Sequence, residues 1–292
     1  MTAPGGRSPA RAVVDRLLRG RGVENRRALS KGPPSRLTGL SERASLFIGH
    51  LLVRDRPDDR YIYSYPRSGS TWLRSILAPL MDPTVDGADP DLRRALIPGV
   101  SIRGSRVINE AASPRLIKSH GRFMGRVPRA VYLVRDGRDV LVSLYHYRVT
   151  RPGHGDRIDF RDFCKMYFRG DLGQLWHRNV LGWLERGRSE MGDALKIVRF
   201  EDLRADVPGK VADICRFLRI EAEPASIARA IELASLDRMR EVERARQGTL
   251  DANRTFYRGG KVGQWQDMLT GELAERFMKG ARSALIAAGY PA

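Results

Sequence analysis

The chain is poor in cysteine, with two residues, Cys164 and Cys215, among 292. Two thiols cannot build a disulfide framework, and their spacing fits no zinc or redox pattern, so a reducing, cytoplasmic setting is expected. Long apolar runs are lacking as well. Even Ser45–Val53 falls short of the roughly 20 residues that span a bilayer, and the N-terminus has no apolar signal-peptide core. Acidic residues are scarce beside basic ones: 34 Asp and Glu face 52 Lys and Arg, a formal charge of +18. Most of that excess is arginine, which suits phosphate, sulfate or carboxylate. Nucleic acid fits such a charge, but the chain carries no recognised nucleic-acid motif. A G-x-x-x-x-G-K-[ST] loop is missing too. Gly209-Lys210-Val211 and Gly260-Lys261-Val262 lack the Ser or Thr that would meet magnesium. No carboxylate is evidently placed for a metal, and no metal site is expected.

What is present is a globular α/β pattern, with 42% apolar residues. Residues 1–45 read as a basic N-terminal tail, with ten Lys or Arg against three acids and a short amphipathic stretch near Arg11–Leu18. A mobile tail, or contact with an anionic membrane surface, follows from that composition. Residues 46–292 read as one domain. Strands are expected over 60–65, 115–118, 130–135 and 195–200. Helices are expected over 70–80, 138–149, 159–169, 173–187, 207–218, 224–233 and 271–288. Strands separated by helices predict a central, mostly parallel sheet with both faces covered and ligands at the carboxyl ends of its strands. Residues 240–265 read as a long loop.

Four constellations carry the chemistry. Tyr65-Pro66-Arg67-Ser68-Gly69-Ser70-Thr71-Trp72 joins a strand to a helix through small residues. Converging backbone N–H groups, the helix dipole, Arg67 and two hydroxyls make it an anion cradle. Arg135 ends the third strand, and Ser143 follows inside a helix, so both are able to face one anion. Lys118 and His120 arrive together at the end of the second strand. A histidine there suits proton abstraction, and a lysine suits charge stabilisation. Last, Thr255–Trp265 is a basic, glycine-rich and aromatic loop that suits a lid over a phosphate.

Taken in order over roughly residues 58–285, these motifs resemble the sulfotransferase family that uses 3′-phosphoadenosine 5′-phosphosulfate (PAPS). Tyr65–Leu73 is similar to the family's phosphosulfate loop, with Arg67 in place of the usual lysine. Lys118-Ser119-His120 resembles its Lys-Thr-His. Arg135 and Ser143 match its 3′-phosphate pair, and Arg258-Gly259-Gly260 its Arg-Lys-Gly, with Gly259 replacing the lysine. Trp72, Phe200 and Leu236 fall at its adenine-flanking positions. The resemblance implies a P-loop-like phosphosulfate loop in a single α/β domain. PAPS binds through Arg67, Ser68, Gly69, Ser70, Thr71, Trp72, Arg135, Ser143, Phe200, Leu236, Arg258, Gly259 and Gly260. It implies transfer of the sulfonate to a hydroxyl or amine of a small-molecule or glycan acceptor. His120 is then the base, with Lys118 and Arg67 stabilising charge. The acceptor is expected against 81–110, 145–158 and 240–256, where Arg103, Arg106, Tyr145, Tyr147, Arg148 and Arg151 stand. A kinase-like phosphotransferase and a basic nucleic-acid-binding module are the alternatives.

Overall fold

A computed structural model describes residues 42–149, 158–247 and 256–292. In chain order the elements are α1 (Glu42–Leu52), β1 (Arg60–Ser64), α2 (Ser70–Met81), α3 (Pro90–Leu96), α4 (Ile102–Glu110), β2 (Leu116–Ser119) and β3 (Ala130–Val134). Then come α5 (Gly137–Val149), α6 (Phe160–Arg169) and α7 (Trp176–Leu181), which runs on through a π turn (Gly182–Gly187) into Arg188–Met191. β4 (Leu195–Arg199) follows, with α8 (Phe200–Ala205), α9 (Val207–Leu218), α10 (Pro224–Leu233), α11 (Leu236–Gln247) and α12 (Gly271–Ala287) behind it.

The four strands pair in the order β2-β1-β3-β4, all parallel. From β1 the chain first crosses to β2 on one side, then returns to β3 on the other. The connection therefore reverses between β1 and β3, and a crevice opens at their carboxyl ends. Side-chain alternation sorts the core onto two faces. Tyr61, Tyr63 and Tyr132 pack on one face with Trp176, Trp183 and Phe277. Ile62, Val131 and Leu133 pack on the other with Leu73, Leu203 and Ile214. The π turn brings Trp183 flat onto Tyr132, with ring centroids 5.1 Å apart, and its indole donates to the Gly121 carbonyl at 3.1 Å. Both faces are covered, which is why the strands read as near-continuous apolar runs.

The central parallel sheet matches expectation, and several boundaries shift. The second strand slides to 116–119, because its partners in β1 are Arg60 through Tyr63. Phe200 leaves β4 to open α8, and Tyr65 leaves β1 to begin the turn. Residues 240–247, expected in a loop, are helical in α11. Helix α1 spans the expected 45/46 boundary and packs on α4. The tail stretch Arg11–Leu18 lies outside the described residues, as do 150–157 and 248–255.

At the sheet's opposite end, Arg115 and Asp59 form a buried pair. Arg115 Nε donates to Asp59 Oδ1 at 2.7 Å, Nη2 meets Oδ2, and Nη1 donates to the Ile108 carbonyl at 2.8 Å. This pair ties the start of β2 to the start of β1. Arg115→Met should cost about 3–5 kcal/mol, because it strands a buried carboxylate. Urea unfolding checks this, and a loss under about 1 kcal/mol would contradict it.

Candidate active site

The floor of the site is made by two strand ends. After Ser64 the chain turns through left-handed backbone, with φ of 70° at Arg67 and 97° at Gly69. A Cβ on Gly69 would lie 2.5 Å from Phe200 Cδ2, so only glycine admits the ring there. Gly69 is the N-cap of α2, and no acidic side chain sits in the first turn. The free N–H groups and the positive end of the helix dipole therefore face the crevice. Ser68 is buried, and its hydroxyl has no partner among the described residues. An orphaned donor beside free backbone N–H groups is a fit for an anion.

Arg135 follows β3 directly. Its Nη2 donates to the Lys261 carbonyl at 2.8 Å and lies 3.5 Å from Asp139 Oδ2, and its Nη1 reaches the Arg67 carbonyl at 3.4 Å. The guanidinium lies over the Phe200 ring, 4.6 Å from its centroid. Its Nε is buried with no partner among the described residues. Asp139 accepts from the backbone N–H of Gly263 at 2.9 Å and of Trp265 at 3.1 Å. One carboxylate thus pins the late segment to the strand end. Arg67 turns toward that segment. Its Nε donates to Ser143 Oγ at 3.1 Å, and its guanidinium lies over the rings of Tyr147 (4.7 Å) and Phe256 (4.3 Å). Burial, with Arg135 and Arg258 adding repulsion, lowers its pKa to about 10, so it keeps its charge at neutral pH.

His120 stands beyond the end of β2. Its Nδ1 lies 2.8 Å from the Ser64 carbonyl oxygen. A carbonyl only accepts, so Nδ1 carries the proton and Nε2 keeps its lone pair. Burial first, then the charge of Lys118, holds its pKa well below the usual histidine range, with Arg74 and Arg67 adding to the effect. The ring is therefore neutral at pH 7.

These groups share one cavity of about 2200 Å³. A pocket for one drug-sized ligand holds about 300–1,000 Å³, so this cavity has room for two ligands. Every catalytic and PAPS-binding residue expected from sequence lines it except the buried Ser68. Trp72 meets Phe200 edge-on at 6.1 Å and donates from its indole to the Ala234 carbonyl at 3.2 Å, while Leu236 opens α11 in the same wall. Gly260 takes φ 57° beside Phe200. Arg258 is exposed at the rim and reaches Gln264 Oε1 at 3.4 Å.

Some expectations for the acceptor wall change. Tyr147 and Arg148 line the cavity, whereas Arg103, Arg106 and Tyr145 do not. Arg106 pairs on the surface with Glu110 at 2.9 Å, and Tyr145 packs against Phe160 and Phe163. Arg151 lies outside the described residues. Sequence reasoning did not single out Arg74; Arg93 falls within the expected acceptor stretch 81–110 and Tyr257 within the Thr255–Trp265 constellation, and all three line the cavity. The available signal was a charge set among the apolar positions Leu73, Ile76 and Leu77 of α2.

The model of the sulfotransferase domain family matches residues 57–288. The chain belongs to that family. It is a PAPS-dependent sulfotransferase by that membership and by its curated relatives. Human Sulfotransferase 1E1 is 27% identical over 245 residues, covering 77% of this chain and 82% of that one. Human Sulfotransferase 2B1 is 28% identical over 269 residues, with 85% and 71% covered. Among solved structures, mouse sulfotransferase SULT7A1 complexed with PAP shares the fold, with TM-score 0.65, 22% identity, and 84% and 91% covered. Retinol dehydratase in complex with androsterone and PAP does so with TM-score 0.62, 23% identity, and 80% and 82% covered.

In the ligand-free protein, the His120 ring should titrate well below pH 6.5. A basic group with a depressed pKa favours the folded state above the unfolded value of about 6.5, and that stability is lost as pH falls through the folded pKa. An NMR titration of the imidazole checks this, and a midpoint at or above 6.5 would contradict it.

Proposed function

We propose that this sulfotransferase moves the sulfonate of PAPS to a hydroxyl or amine of a small-molecule or glycan acceptor, with His120 as general base. The observation that carries the reading is the free Nε2 lone pair of His120, in the same cavity as Gly69, Ser70 and Thr71 of the loop. When bound, PAPS supplies the sulfonate and leaves as 3′-phosphoadenosine 5′-phosphate. The loop N–H groups, Ser68, Ser70 and Thr71 hold the 5′ end. Arg135, Ser143, Arg258, Gly259 and Gly260 hold the 3′-phosphate, and Trp72, Phe200 and Leu236 enclose the base. Nε2 takes the acceptor's proton as the acceptor attacks sulfur, while the Ser64 carbonyl steadies the Nδ1–H. Lys118 and Arg67 stabilise charge that grows on the transferring group, and positioning supplies much of the rest.

The unpartnered Ser68 hydroxyl and Arg135 Nε support two separate anion contacts, one at each end of such a ligand. Solved neighbours crystallised with androsterone and with retinol support a small-molecule acceptor. Two buried, unpaired thiols support a cytoplasmic location. Among the described residues no helix is long and apolar enough to cross a membrane.

His120→Ala should lower labelled-sulfonate transfer from PAPS by about 10²–10⁴-fold. Calorimetric affinity for 3′-phosphoadenosine 5′-phosphate should stay unchanged. Undiminished transfer in this variant would remove His120 as the base.

A further inference from the structure

Five arginines are buried in the described residues: Arg74, Arg93, Arg115, Arg135 and Arg138. Three of them face a carboxylate. Arg115 meets Asp59, Arg135 meets Asp139, and Arg138 meets Asp136. Arg74 and Arg93 have no ion-pair partner among the described residues, although they are only 7% and 3% exposed. Arg74 projects from the middle of α2, where its Nη2 donates to the Ile97 carbonyl. Arg93 donates to Ser75 Oγ at 3.0 Å, the Gly87 carbonyl at 2.8 Å and the Tyr257 hydroxyl at 3.4 Å. All of these partners are neutral. The Nε atoms of both arginines are buried without any partner among the described residues.

Burying a guanidinium without a counter-charge is costly, and placing a second one beside it costs more. Burial, then the neighbouring Arg93, brings the Arg74 pKa down to about 9, so Arg74 stays cationic at neutral pH, and burial lowers that of Arg93 as well. The carboxylates nearby are engaged elsewhere. Asp89 caps α3 and, with Asp91, pairs with Arg246, and Glu243 accepts from the Phe256 N–H at 2.8 Å.

The pair also sits on the acceptor side. The segment 97–100 that receives Arg74 runs beside β2: the Lys118 N–H donates to the Pro98 carbonyl, and the Val100 N–H donates to the Lys118 carbonyl, both at 2.8 Å. Arg74 therefore holds the segment that borders the strand delivering Lys118 and His120. The groups assigned above to the 5′ and 3′ ends of PAPS are a different set.

We propose that Arg74 and Arg93, with Tyr257, form an anion site for the acceptor, so that the preferred acceptor carries a carboxylate, phosphate or sulfate ester besides its reacting hydroxyl or amine. Planar forked donors suit any of these groups. The proposal rests on the sulfotransfer reading for its meaning, but the anion site is measurable by itself.

The binding arm uses protein saturated with 3′-phosphoadenosine 5′-phosphate and titrates inorganic phosphate against chloride at equal ionic strength. Wild type should bind phosphate. Arg74→Met and Arg93→Met should each weaken it roughly ten-fold, as for one lost charge-assisted contact, while affinity for the nucleotide is unchanged. Arg74→Lys and Arg93→Lys keep the charge and serve if a Met variant fails to fold, with an intermediate loss expected. Unaltered phosphate binding in the variants, or weakened nucleotide binding, overturns the proposal. The transfer arm compares 3-(4-hydroxyphenyl)propanoate with 3-(4-hydroxyphenyl)propan-1-ol, using labelled PAPS. Wild type should favour the acid in kcat/KM, and the variants should lose that preference roughly ten-fold. A wild type that favours the alcohol overturns the acceptor assignment. Phosphate binding with no transfer from PAPS to any acceptor sinks the sulfotransfer reading and leaves the anion site standing.

Discussion

The Asp139 carboxylate is the contact on which the site depends. It lies in the first turn of α5, fully inside the protein, and it holds three things at once. Arg135 comes from the end of β3, and the Gly263 and Trp265 N–H groups come from a segment more than 120 residues later. At the start of helix α5, Gly137 lets Trp176 press on the backbone, where a Cβ would come within 2.6 Å of the ring. The Trp176 indole in turn holds the Arg135 carbonyl at 3.1 Å. Strand end, helix start and late segment are thus fixed by one carboxylate and one indole. The hydrogen bonds to the buried carboxylate are charge-assisted, the stronger kind.

A second constraint is the handling of positive charge. The chain collects cations around one crevice, and it neutralises only some of them. Arg138 is matched by Asp136, and Arg67 is sheltered between two aromatic faces. Arg74 and Arg93 meet only neutral groups among the described residues, and their Nε atoms, like that of Arg135, have no partner there. A protein of charge +18 loses stability by such crowding, and anionic ligands recover it. Burial first, and then the charge of Lys118, keeps the His120 ring neutral, with Arg74 and Arg67 adding to the effect.

Local chemistry made much of this legible in sequence. The Ser-Gly-Ser-Thr turn after an apolar run, and the Arg135–Asp136–Gly137 turn after another, each announce a strand end and a helix start. Long-range pairing decided the rest. Asp139 reads locally as an ordinary first-turn acid, because nothing nearby reveals the Gly263 and Trp265 N–H groups. Helix α11 is charged on most faces and reads as loop. It forms because Arg238 and Arg246 reach Asp86, Asp89 and Asp91 across the crevice, and because Met239 is buried. Arg74 carries one local sign, a charge among apolar helix positions, whereas Arg93 is buried only because the fold closes over it.

The segment 256–260 has its own hold on α11. Arg240 donates to the carbonyls of Tyr257 and Arg258, and Glu243 takes the Phe256 N–H. Tyr257 faces Arg93, while Gly260 lies against Phe200. Five consecutive residues of the cavity lining therefore touch Arg93 at one end and the Phe200 ring at the other. Ligands held at the two ends would share that wall. A ligand that shifts the wall on one side alters the binding free energy on the other, and linkage requires the same factor in both directions.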